Sequence, residues 1–156
     1  MALKADRIEA YTDISFFMNT TATRGGVVTM LTAGSGVSMD DANAVVVYAA
    51  NPSGLVPMGI LLNDVVDLDL TRQHINWHKD EVQKGSKVTL LRQGQVTTDM
   101  IVTAAAPGVG SGVYIGVSGL LTTVVAAGAT SNGISCGRFL SSKDADGFCK
   151  VDINIT

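Results

Sequence analysis

Short apolar, β-branched runs broken by glycine recur along nearly the whole chain. The runs at 15–18, 27–31, 44–49, 56–62, 87–92, 95–103, 112–117, 120–125, 134–140 and 148–155 have the length and residue types of strands. Gln93-Gly94 lies between two of these runs and predicts a tight hairpin turn, since glycine takes the positive φ such turns need. Ser118-Gly119 predicts a second hairpin, and Asp144-Ala145-Asp146-Gly147 turns the last pair. The closing segment, Lys150-Val151-Asp152-Ile153-Asn154-Ile155, alternates polar and apolar, which predicts one buried and one wet face. The expected class is all-β.

Three segments depart from this pattern. Asp40-Asp41-Ala42-Asn43 reads as a turn or a single helical turn, and residues 70–82, the most polar stretch, read as a loop with one helical turn. Residues 1–25 run from charged to apolar with no strong turn before Gly25-Gly26, which predicts an extended N-terminal arm. Residues 26–156 then form a single β-rich domain, and no internal repeat stands out.

Composition sharpens this reading. The chain has 156 residues, of which 46% are hydrophobic and only 16% charged, against about 25% charged in ordinary domains. It is neither disordered nor a coiled coil, and its excess of small apolar side chains needs covering. The charges are unevenly spread, because no Asp, Glu, Lys or Arg occurs from Met100 to Gly137. Glycine and proline break that stretch too often for a membrane helix, and the N-terminus lacks the apolar core of a signal peptide. A soluble chain without membrane contact is expected. The formal net charge of −3 and the absence of any Lys/Arg cluster argue against nucleic-acid binding. Cys136 and Cys149 lack metal or redox spacing and read as buried thiols. The sequon Asn19-Thr20-Thr21 has no meaning without secretion.

No catalytic constellation emerges. His74 and His78 stand four apart, as in a helical metal site, but Ile75 occupies the place where a metalloprotease needs Glu, and there is no third ligand nearby. They read as part of a polar surface loop or subunit contact, with Trp77 between them as an interface anchor. Ser142 to Gly147 resembles the start of a calcium loop, but the twelfth position is Ile153 rather than a bidentate Glu. Gly108, Gly110 and Gly112 precede a strand rather than the helix that a phosphate cradle requires. There is no Walker A sequence and no G-x-S-x-G elbow. The acids Asp40, Asp41, Asp67 and Asp69 are not framed by the aromatic cleft of a glycosidase. The expectation is a protein that is not an enzyme, with no cofactor and no metal.

The run from Met58-Gly59-Ile60-Leu61-Leu62-Asn63-Asp64 through Thr71-Arg72-Gln73-His74, continuing from His78-Lys79-Asp80-Glu81 to Gln93-Gly94, resembles tailed-bacteriophage capsid decoration (cement, head-stabilising) proteins. The later pattern of Gly112-Val113-Tyr114-Ile115, Gly119-Leu120-Leu121-Thr122, Gly137-Arg138-Phe139-Leu140, Asp146-Gly147 and Val151 is similar to small β-rich head-decoration proteins in general. The resemblance implies a small β-barrel or β-tulip-like domain, homotrimeric, on the outer capsid surface of an icosahedral virion after assembly in the host cytoplasm. It implies the major capsid protein as partner, with neighbouring subunits tied together. On this reading the N-terminal arm orders on docking, and Phe16, Phe17, Arg72, His74, Trp77 and His78 are the candidate capsid or subunit contacts. Two alternatives stand beside this reading. A trimeric dUTPase-type nucleotide hydrolase needs a Ser-rich phosphate motif and an acid-bearing hairpin with a stacking Tyr, neither of which is visible. A carbohydrate-binding virion surface protein needs exposed aromatics, and the chain has only three Tyr and one Trp.

Overall fold

The computed structural model describes residues 3–31, 45–64, 81–126, 128 and 130–155. The described chain is nearly all-β, as expected. Its elements are β1 (Ile8–Met18), β2 (Ala22–Thr23), β3 (Val27–Met30), β4 (Val45–Val47), β5 (Pro57–Asp64), β6 (Glu81–Val82), β7 (Lys87–Thr98), β8 (Gly112–Ile115), β9 (Leu121–Thr122), β10 (Ser135–Phe139) and β11 (Cys149–Asn154). Nine of them form one sheet in the order β1-β4-β3-β5-β7-β11-β10-β8-β9, and β2 pairs with β6 separately. Because β1 also pairs with β7, the strands β1, β4, β3, β5 and β7 close into a ring. The remaining strands extend from β7 as an open wing.

The uninterrupted apolar runs have a structural cause. In β5, Ile60 and Leu62 enter one core while Leu61 between them enters a second; Val27 and Val28 of β3 divide the same way, as do Leu91 and Leu90 of β7. Successive side chains of a strand point to opposite faces, so β3, β5 and β7 form a wall with a core on each side. The first core gathers Phe139, Val113, Ile115, Leu121 and Val151 from the wing. The second gathers Phe16, Met18, Ala22, Val46 and Val82 from the ring and its neighbours. The alternation expected in the last strand is observed, since Cys149, Val151 and Ile153 of β11 are buried while Lys150, Asp152 and Asn154 are not.

The Ser118-Gly119 hairpin forms as expected between β8 and β9. Ser118 has φ 53° and Gly119 φ 77°, and Leu120 N–H donates to Val117 O at 3.0 Å. Positive φ at both central residues suits the right-handed twist of the paired strands. The last turn also forms: Asp144 Oδ1 accepts the N–H groups of Asp146 and Phe148 at 3.0 and 2.8 Å. That carboxylate is spent on backbone donors, which is how an Asp builds a turn.

The expected hairpin at Gln93-Gly94 is absent, and this corrects the sequence reading. β7 runs straight through Gly94, which pairs with Glu9 on one side and Ile153 on the other. Gly94 has φ +149°, and a Cβ there would run into the carbonyl oxygen of Ile8. The glycine is required by close approach of β1, not by a change of chain direction. A glycine between two strand-like runs reads alike in both cases. We expect Gly94→Ala to destabilise the protein by about 3 kcal/mol in urea unfolding. Gly54→Ala, also at positive φ but in open space, costs about 1 kcal/mol.

Candidate functional site

Of the candidate contacts, Phe16 and Phe17 lie among the described residues. Phe16 is 8% exposed and packs in the ring core beside Met18, Val28 and Leu90. Phe17 is half-buried, and Lys87 Nζ sits 5.2 Å from its ring centroid. Arg72, His74, Trp77 and His78 lie outside the described residues, as does the expected turn at 40–43. Their segment is flanked by the end of β5 at Asp64 and the start of β6 at Glu81. The second flank is anchored: β6 pairs with β2, and the turn after it is tied to β1 by Gly85 N–H to Met18 O at 2.7 Å and Met18 N–H to Ser86 O at 3.0 Å.

Within the segment 1–25, expected as an arm, the described residues enter the fold from Leu3 onward. Leu3 is 7% exposed in the first core, and Lys4 N–H donates to Thr97 O at 2.9 Å. Lys4 Nζ lies 3.5 Å from Asp144 Oδ2 and 4.3 Å from the Phe148 ring centroid. From Ile8 the chain continues antiparallel along β7 as β1.

The buried titratable groups are disarmed. Burial pushes the Cys136 thiol up to about 12, an effect its backbone hydrogen bond with Ile115 only partly offsets. Burial also raises Cys149, with Lys143 opposing and Asp144 reinforcing the shift. Burial likewise raises the Tyr48 phenol, so it stays protonated, donating to Thr23 O at 2.7 Å and accepting Gly26 N–H at 3.0 Å. Tyr48 lies against Gly119, where an added Cβ would stand 2.5 Å from Cδ1, and so joins the ring to the β8–β9 hairpin. Asp13, partly buried, is held below its usual range. Desolvation pushes it up, but the Ser15 hydroxyl and N–H and the Arg92 guanidinium, at 3.5 Å, outweigh that. None of these groups is a nucleophile beside a base.

What the described surface offers instead is contact area. Ile8, Tyr11 and Ile14 on β1 are 57%, 54% and 53% exposed. A shallow groove of about 360 Å3 crosses β1, β7 and β11, lined by Ile8, Ala10, Gln95, Asp152 and Asn154 among others. A second, of about 160 Å3, lies between Val56, Pro57, Ile134 and Ile155 and shares Asn154 with the first. Val56 and Ile134 are themselves exposed. Apolar side chains among amides and the Asp152 carboxylate, open to solvent, suit a protein partner better than a small substrate. The β1 residues were missed in the sequence because they sit three apart within a charged segment, a spacing that is not a strand period.

The family model for phage structural cement proteins (E217 gp24/Pam3 gp6) matches residues 5–154, nearly the whole chain. The chain belongs to this family. No curated protein sequence matches it. The cement protein is thus a structural protein of the phage virion that associates with the capsid. Its enclosed thiols fit a scaffold role. At pH 7 a thiol raised from 9.0 to about 12 carries about a thousandfold less thiolate. Maleimide labelling of Cys136 should therefore require unfolding. Because the folded thiol is raised, its contribution to stability is full below pH 9.0 and is lost as pH rises through about 12. Urea titrations across that window should show a smaller decline in Cys136→Val than in the parent protein.

Proposed function

We propose that the cement protein binds the outer surface of an icosahedral head as a trimer and ties neighbouring major capsid protein subunits together by binding, without catalysis. Membership of the structural cement family carries this reading. The net charge of −3 supports an outer position, away from packaged DNA. A framework with two apolar cores and exposed apolar positions on its strands supports a role in contact rather than chemistry. Several weak contacts held on one trimer reinforce one another through effective concentration. Binding only the assembled lattice then stabilises that lattice by mass action.

The proposed contacts include Arg72, His74, Trp77 and His78, carried between β5 and β6, and Phe17 on β1. Phe16 reaches a partner only when β1 leaves the ring, since it is buried there. Deleting residues 1–25 is a poor test of docking, because it also removes Leu3, Phe16 and Met18 from the cores. Addition of the intact protein to undecorated heads, followed by sedimentation, should show saturable binding at a fixed ratio to capsid subunits. Protein left in the supernatant at every concentration would sink the proposal. Trp77→Ala should weaken retention by about 2 kcal/mol, roughly thirtyfold, with unchanged thermal unfolding.

A further inference from the structure

The middle of β7 is flanked by two strands that run in the same direction as each other. Gln95 pairs with Ile8 of β1 and Asp152 of β11, Gly94 with Glu9 and Ile153, and Gln93 with Tyr11 and Asn154. Both ladders are antiparallel to β7, so β1 and β11 lie parallel to one another on its two edges. The segment leading into β1 lies toward the Thr98 end, where Leu3 bridges Thr98 and Lys4 N–H donates to Thr97 O at 2.9 Å. β11 finishes in the other direction, where Ile155 N–H donates to Arg92 O at 2.8 Å.

Tension between these two segments therefore draws β1 and β11 in opposite directions along β7. Antiparallel backbone bonds lie perpendicular to the strands, so sliding strains a whole ladder at once. Tension at neighbouring ends of two paired strands strains only the outermost bonds, and the ladder then opens pair by pair.

Sliding also disturbs the packing, because a shift of one residue exchanges the two faces of a strand. Cys149, Val151 and Ile153 of β11 are enclosed in the first core. A shifted β11 would turn Lys150 and Asp152 toward that core instead. The β1 ladder shifts register three times, whereas the β11 pairs run without interruption. Under sliding, β1 is the strand that yields first.

We infer that β1, β7 and β11 form a mechanical clamp. It resists tension between the segment before β1 and the end of β11, and it opens readily when β1 is peeled from β7. A structural protein of the virion thereby has one direction in which it withstands being drawn out. The inference rests on pairing register and not on the head-binding reading, so its failure leaves that reading standing.

The test is single-molecule force spectroscopy on the full chain, with pairs of introduced cysteines as attachment points. Asp6→Cys with Asn154→Cys loads the clamp lengthwise, whereas Asp6→Cys with Asp99→Cys peels β1 from β7, and all three positions are exposed. Cys136 and Cys149 are buried and do not take the handles. At one pulling speed the lengthwise pair should rupture at about twice the force of the peeling pair or more, since forced unfolding reports the unfolding barrier. Ala5→Cys, also exposed, replaces Asp6→Cys in a repeat of both pulls. A lengthwise force no higher than the peeling force overturns the inference.

Discussion

The strands β3, β5 and β7 are buried on both faces, and the rest of the molecule is arranged around that wall. Each fully buried Val, Leu or Ile contributes about 1.5–3 kcal/mol relative to exposure, and Ile60, Leu61, Leu62, Leu90 and Leu91 are all enclosed. Their alternation sends neighbouring residues of one strand into different cores. Two layers must therefore cover the wall. On one side the ring is completed by β1 and β4, and on the other the wing folds over from β11, β10, β8 and β9.

β7 makes both coverings possible because it is long enough to hold three partners. Its first half gives one edge to β5 and its second half gives the same edge to β11, while β1 follows the opposite edge throughout. Backbone pairing is thus satisfied along β7, and the glycine at position 94 allows β1 to lie close where a side chain would forbid it. Tyr48, bonded to Thr23 and Gly26 and resting on Gly119, links ring and wing at a second point. A body braced in this way suits a structural cement protein of the phage virion.

The surface follows from the same economy of strands. The exposed apolar residues of β1 and the two grooves joined at Asn154 lie on or beside β1 and its neighbours.

Much of the fold was legible from residue order. All ten strand-like runs contain strand in the structure, and the Ser118-Gly119 and Asp144 turns form as their residue chemistry dictates, because strand length, β-branching and turn chemistry are local properties. The family, too, was visible in local runs of sequence. Three things were not. Gly94 reads as a turn residue because a tight turn and a close backbone approach make the same local demand. Phe16 reads as a free anchor because its burial depends on Val28 and Leu90, distant in sequence. The exposure of Ile8, Tyr11 and Ile14 depends on how β1 meets β7, along which the pairing shifts register three times. The amino-acid sequence by itself determined which segments extend and placed the Ser118-Gly119 and Asp144 turns. The tertiary structure alone decided which strand edges meet, because pairing register and burial are set by contacts between residues far apart along the chain.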